Sequence, residues 1–228
     1  MRVGVLGGGL QGCSLALALA DRGVKVTLFD KNNTLLSRAA AANEGKIHLG
    51  YMYAGDPTLS TAKMMMQGAL SFAPFLERYL GNSSEAFLVS VPATYIVHRD
   101  SQHSADDICA YMNSVHTLIN EAAKGRGQAY FGLDLGAPLR VWPAAEKETQ
   151  FDPTIALAAI STPEIAINPA ALAHKINECV TAHPLIEVRC GRTVVGAKEQ
   201  RHGMEVHSEG QGGSARDCFD HVVNALWV

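Results

Sequence analysis

Four residues near the start of the chain have the types and spacing to hold a dinucleotide: Gly7, Gly9, Gly12 and Asp30. At a turn from strand to helix, the first glycine lets the chain reverse sharply. The second lets the backbone approach a pyrophosphate, and the third lets the helix lie close on the strand. The amides opening that helix, at Leu10 and Gln11, then offer N–H groups and the positive end of the helix dipole to the phosphates. Asp30 lies about twenty residues beyond the glycines, where a carboxylate can accept hydrogen bonds from ribose hydroxyls. Lys31 beside it joins the candidate set.

The elements needed to position these residues are present in order. Val3-Gly4-Val5-Leu6 is a short apolar strand, Leu15 to Ala20 belongs to a helix, and Val24 to Asp30 is a second strand ending in the acid. A signal peptide or a membrane span fits the same stretch poorly. Glycines and Gln11 interrupt it, whereas a spanning helix needs about 20 predominantly apolar residues.

The 228 residues are 47% hydrophobic, enough to bury the core of one large domain or two small ones. Net charge is -3 with acids and bases interspersed, so no basic stripe suits nucleic acid and no polybasic run suits a membrane surface. No integral membrane segment is expected. Cys13, Cys109, Cys179, Cys190 and Cys218 are scattered, odd in number and without a Cys-x-x-Cys pair. That suits buried thiols in a reducing, cytoplasmic setting. The histidines show no metal-ligand spacing, and no metal is expected.

Further along, apolar residues at helical spacing predict a helix over Ala62 to Leu80. Phe87 to His98 reads as a strand pair or as one long strand broken at Pro92. Ser104 with Asp106 and Asp107 starts a helix that Gly125-Arg126-Gly127 ends. A short helix at Ala144–Gln150 and a strand at Ile155–Ile160 follow. Asn168-Pro169 opens another helix through Val180. The remainder reads as a strand at Ile186–Cys190, a hairpin of Thr193–Glu199 and Met204–Ser208, a flexible turn at Gly210–Ser214, and a last strand at Phe219–Ala225.

The segment Asn43-x-Gly45-x-Ile47-His48-x-Gly50-x-x-Tyr53, with Pro57 and Leu59 beyond it, resembles the second fingerprint of FAD-dependent oxidoreductases of the D-amino-acid oxidase superfamily. Within that superfamily it is most similar to L-2-hydroxyglutarate oxidases and dehydrogenases. Ile167 to Leu172 resembles the start of the helix that returns to the nucleotide domain. Thr193-Val194-Val195 resembles the segment whose backbone meets the adenine. Val222-Val223-Asn224-Ala225 resembles the strand beside the pyrophosphate. Leu226 and Trp227 depart from the pattern, standing where the family usually has a glycine.

The resemblance implies an α/β fold: a Rossmann-like FAD-binding domain of the glutathione-reductase type, interrupted by an α+β substrate domain. The expected division is 1–85 and 164–228 for the discontinuous FAD-binding domain and 86–163 for part of the substrate domain. Family members continue well past the position of Val228, so the expectation is the N-terminal portion of a longer enzyme. Implied cofactor contacts are Gly7, Gly9, Leu10, Gln11, Gly12, Asp30, Lys31, Ser37, Arg38, Asn43, Gly45, Ile47, Val195, Asn224 and Ala225. The isoalloxazine is expected to reach the Asn43–Gly50 turn.

The chemistry implied is dehydrogenation of a small 2-hydroxy acid or amino acid, with hydride transfer to flavin N5. His48, in the turn that resembles the flavin-facing one, is the candidate catalytic base, because an imidazole can accept a hydroxyl proton near pH 7. A hydrogen bond to the flavin, a covalent flavin link, and a buried histidine satisfied by backbone are the alternatives. Tyr51 and Tyr53 can orient a carboxylate or simply pack. Arg99 and Arg140 are the central arginines that could pair with one. Ser37 and Arg38 can reach phosphates or face solvent as a loop. Two other functions compete: an NAD(P)-dependent dehydrogenase, and a truncated, non-catalytic Rossmann-type domain. The residues do not distinguish oxygen from a quinone or carrier protein as electron acceptor.

Overall fold

The computed structural model describes residues 1–81, 87, 90–125 and 130–226. The chain forms two compact units, Met1–Glu44 with Asn168–Val228, and Gly45–Ile167. These divide after residues 44 and 167, whereas the sequence reading draws its boundaries after 85 and 163.

The first unit is built on a four-stranded sheet ordered β12-β1-β2-β8: β1 (Arg2–Leu6), β2 (Lys25–Phe29), β8 (Ile186–Arg189) and β12 (His221–Asn224). All three pairings are parallel. A parallel sheet must be covered on both faces, and β1 is buried from Val3 to Leu6. Its side chains alternate. Val5 faces helix α1 (Leu10–Ala20), 3.5 Å from where a Cβ on Gly12 would sit. Leu6 faces the other way, into a cluster with Phe29, Val206 and Phe219.

That second cover is an antiparallel meander of β9 (Arg192–Gln200), β10 (Gly203–Gly210) and β11 (Gly213–Phe219). A Cβ on Gly4 would lie 3.0 Å from the Phe219 ring, which would have to give by a few tenths of an ångström. The structure corrects the sequence reading here: Gly213–Phe219 is a third meander strand, and the chain then turns at Asp220 into β12. Helix α5 (Pro169–Ala182) packs beside α1 and β8. Asn168 caps it by accepting the Ala171 N–H at 3.0 Å, with proline in the first helical turn.

The second unit carries an antiparallel sheet β4-β6-β5, formed by β4 (Thr94–His98), β5 (Arg140–Val141) and β6 (Ala156–Ser161). It also holds a two-stranded pair, β3 (Lys46–Ile47) with β7 (Ile165–Ala166). Helices α2 (Ser60–Leu80), α3 (Ala105–Ala123) and α4 (Ala144–Gln150) complete it. Met66, Ala69 and Leu70 of α2 pack with Tyr111, Met112, Val115 and Ile119 of α3 in one core that also includes Leu49, Tyr51 and Tyr130. This packing puts α2 in the central unit. Ser104 caps α3 by accepting the Asp107 N–H, and Asp106 and Asp107 complement the helix dipole. Leu88, Val89, Arg126, Gly127 and Trp227, which the sequence reading assigned, lie outside the described residues.

Candidate functional site

The glycine turn is sterically divided. Gly7 has φ +109°, and a Cβ there would lie 2.5 Å from the Ala225 carbonyl oxygen. A Cβ on Gly12 would lie 1.8 Å from the Gly7 carbonyl oxygen. Gly9 meets nothing within 4 Å. The first and third glycines are therefore demanded by the protein's own backbone, while the second borders open space. Behind that space α1 begins with no side-chain cap and no acid in its first turn. Its first N–H groups have no carbonyl one turn back to bond, and the dipole adds positive potential there. Leu10 and Gln11 carry these amides at an exposed position.

Asp30 fixes the turn from behind. Its Oδ2 accepts the Gly8 N–H at 2.8 Å, and its Oδ1 accepts the Asn32 N–H at 2.7 Å and Asn32 Nδ2 at 2.8 Å. A carboxylate offers about four lone-pair sites, so three donors leave room for about one more on Oδ2. Asn32 Oδ1 in turn accepts Arg38 Nε at 3.1 Å. The loop is folded down by Leu35 and Leu36, both buried. Leu36 takes φ +58° so that its N–H reaches the Gly8 carbonyl at 2.8 Å. A non-glycine residue there costs of order 1–3 kcal/mol, which this buried contact must offset. Lys31, Ser37 and Arg38 are left exposed on the loop.

The end of β12 joins the same turn. The Ala225 N–H donates to the Leu6 carbonyl at 2.8 Å, and Asn224 Oδ1 accepts the Leu226 N–H at 2.9 Å. Gly7, Gly9, Leu10, Gln11, Gly12, Asp30 and Ala225 are thus gathered around one turn. Val195 stands on β9, more than half exposed. Sequence reasoning passed over Gly8, where a Cβ would lie 2.4 Å from Leu35 Cδ2, and Asn32. The unbroken Gly7-Gly8-Gly9 run was the available signal for the former.

Asn43 is exposed, and its Nδ2 donates to the carbonyls of Ala39 and Ala40 at 2.8 and 3.3 Å. In the central unit, Gly45 (φ +69°) accepts the Ile167 N–H at 3.0 Å, and Ile47 pairs with Ile165. The Tyr130 hydroxyl donates to the Ile47 carbonyl at 2.6 Å and accepts the Ile165 N–H at 3.1 Å, stitching β3 to β7. The antiparallel register pairs Lys46 with Ala166 and Ile47 with Ile165, and His48 and Glu164 follow at the same end of that ladder.

Glu164 is buried, 1% exposed. Its Oε1 accepts the Leu49 and Gly50 N–H groups at 2.6 and 3.1 Å, and its Oε2 accepts the Tyr95 hydroxyl. His48 Nδ1 lies 3.4 Å from Oε2. That nitrogen is buried and makes no hydrogen bond of good geometry. The His48 ring also meets Tyr53 edge-on, centroids 6.3 Å apart. Glu164 and Tyr95 escaped the sequence reading. The only sign was a lone acid immediately before the apolar Ile165-Ala166-Ile167.

Four tyrosines around this loop are held as neutral hydroxyls. Burial, reinforced by the Glu164 charge, pushes Tyr51 and Tyr95 far above the usual phenol range. Burial raises Tyr130 as well, and pushes Tyr111 up to about 12. Tyr51 is a core residue rather than a ligand group, since its hydroxyl bonds His116 Nδ1 at 2.8 Å. Burial holds His116 below the usual imidazole range. Tyr111 donates to the Gly50 carbonyl at 2.9 Å. The central arginines are engaged elsewhere. Arg140 pairs with Glu146 and lies over Trp142, and Arg99 lies 3.7 Å from Asp100.

The model of a family described as DAO, FAD dependent oxidoreductase, matches residues 2–227. Among solved structures, glycine oxidase from Geobacillus kaustophilus is similar at a TM-score of 0.69 and 20% identity, over 98% of this chain and 55% of that one. Iminodiacetate oxidase from Chelativorans sp. BNC1 is similar at 0.68 and 21%, over 98% and 54%. At these identities the likeness is one of fold. An FAD-dependent monooxygenase of Fusarium mangiferae is 32% identical over 77 residues, 34% of this chain and 20% of that one. The chain spans about half the length of the solved structures it matches. No described helix is long and apolar enough to cross a membrane.

Proposed function

Because the chain belongs to the family of FAD-dependent oxidoreductases, and FAD is its cofactor, we propose that it dehydrogenates a small 2-hydroxy acid or amino acid at the carbon bearing the hydroxyl or amine. The glycine turn fits the cofactor. A Cβ on Gly9 would fill the space in front of the uncapped α1 amides, where a pyrophosphate can approach. Gly7, Gly9, Leu10, Gln11 and Gly12 would hold the diphosphate. Asp30, through its remaining lone pair, would hold a ribose hydroxyl, and Ala225 would border the same turn. Lys31, Ser37, Arg38, Asn43, Gly45, Ile47, Val195 and Asn224 complete the proposed contacts. In this reading 1–85 and 164–228 bind the cofactor and 86–163 contribute to the substrate side.

When bound, FAD would supply a two-electron acceptor for the substrate hydride, at N5. The protein's part is the proton. His48 would accept it from the substrate hydroxyl or amine as the Cα–H bond breaks, leaving a keto acid or an imine. The observation carrying this role is the half-buried His48 ring beside the buried Glu164 carboxylate, in the segment that resembles the flavin-facing fingerprint. The similar structures named as oxidases of glycine and of iminodiacetate favour an amine substrate. The resemblance of Asn43–Tyr53 to L-2-hydroxyglutarate oxidases favours a hydroxyl.

Anaerobic mixing of the FAD-loaded protein with glycine, L-amino acids or L-2-hydroxyglutarate decides between these. Bleaching of the flavin by one class identifies the substrate. A bound flavin that no member of either class bleaches would refute the reading and leave a nucleotide-binding domain without catalysis.

A further inference from the structure

We propose that Glu164 is a positioning residue that holds His48 in the tautomer with its proton on Nδ1, leaving Nε2 as the basic nitrogen; this deepens the role of His48 above and rests on it. A neutral imidazole carries one N–H and one lone pair. Nδ1 lies 3.4 Å from Glu164 Oε2 and is sealed from water without another partner. With the proton on Nδ1, the positive N–H end lies 3.4 Å from an acceptor-only carboxylate, an electrostatic contact short of hydrogen-bond geometry. With the proton on Nε2, a lone pair lies against the carboxylate charge at that distance.

The carboxylate cannot turn away to relieve the second arrangement. Leu49 N–H and Gly50 N–H hold Oε1, and the Tyr95 hydroxyl holds Oε2. The clamp and the histidine share one short segment, because residues 48, 49 and 50 all address the same carboxylate. Backbone register brings the two together: the β3–β7 ladder ends at the pair Ile47 with Ile165, and His48 and Glu164 are the next residues of each chain at that same end. A histidine whose far nitrogen is fixed by a carboxylate presents its near nitrogen in a defined tautomer and orientation.

The test reads the tautomer directly. In the FAD-loaded protein labelled with ¹⁵N-histidine, His48 is expected to give a protonated Nδ1 and a pyridine-like Nε2, with the other form about tenfold less populated or rarer. Glu164→Gln keeps the shape but sets an amide against the ring, so the preference should collapse or invert. Turnover, measured below the variant's own melting transition, should fall by about tenfold or more with FAD affinity near wild type, while the loss of a buried acceptor lowers the melting temperature. Glu164→Asp, which retains the charge, should recover part of the Nδ1–H signal.

A wild-type spectrum with the proton on Nε2 overturns the proposal, and needs no variant to fold. So does a folded Glu164→Gln protein whose tautomer is unchanged. A flipped tautomer with unchanged turnover would uphold the positioning and refute instead His48 as the base, which separates the two claims.

Discussion

Substituting alanine at Gly9 and at Gly12 should separate cofactor binding from folding. At Gly9 the backbone has φ -77° and ψ -175°, which alanine adopts freely, and the new methyl would meet nothing within 4 Å. The helix cap loses a little, since glycine is preferred to alanine there, for a cost below about 1 kcal/mol. In the proposed site the open space around Gly9 is where the diphosphate would approach the α1 amides. Holding the diphosphate off by one bond length removes at least one charge-assisted hydrogen bond, about 1.5–3 kcal/mol, or roughly ten- to a hundredfold in FAD affinity.

At Gly12 the methyl would lie 1.8 Å from the Gly7 carbonyl oxygen, where real contacts stay above 3.0 Å. The helix must move off the strand, at a cost of about 3 kcal/mol or more, which lowers the melting temperature by roughly 6–12 °C. FAD titration by fluorescence quenching and thermal melting of the apoprotein measure the two effects. Wild-type FAD affinity in Gly9→Ala, or a loss of stability in Gly9→Ala equal to that in Gly12→Ala, would refute the division of labour among the glycines.

Other consequences follow from particular contacts. Asp30→Asn leaves one side of the carboxylate site without an acceptor for Gly8 or Asn32, and should destabilise the apoprotein by about 1–3 kcal/mol and weaken FAD binding, read by denaturant unfolding and titration. Tyr130→Phe removes the hydroxyl shared by Ile47 and Ile165, and should cost about 1–3 kcal/mol in the same unfolding measurement. Burial, aided by the Asp30 and Cys190 charges, pushes the Cys13 thiol up from 9.0 to about 12. The unfolded chain releases that proton from about pH 9 upward while the folded chain retains it, so stability should be full below pH 9 and decline progressively toward pH 12. Cys13→Ala should flatten that slope in unfolding curves taken across this range.

The glycine turn was legible because its requirements are local. Close approaches such as that of Gly12 to Gly7 admit only one residue type, so sterics write themselves into the sequence. The caps at Ser104 and Asn168 were legible for the same reason. The partner of His48 was not, because Glu164 stands 116 residues away and only strand register brings it across. The role of Asp30 was half legible: its place at the strand end follows from spacing, but its grip on Gly8 and Asn32 depends on a loop folded by Leu35 and Leu36. The strand Gly213–Phe219 lacks a buried face over most of its length, so no apolar alternation marks it. Helix α2 was found by its period. Which core receives it is decided by shape, and it packs with α3 in the compact unit Gly45–Ile167.

In the proposed site the amides opening α1 receive the diphosphate of FAD. Titrating FAD into ¹⁵N-labelled protein while following the amide signals of Leu10, Gln11 and Gly12 tests it most directly. These signals should shift together, in proportion to flavin bound, and in Gly9→Ala should need roughly ten- to a hundredfold more FAD to do so. Flavin bound at full stoichiometry with all three signals unmoved would contradict it.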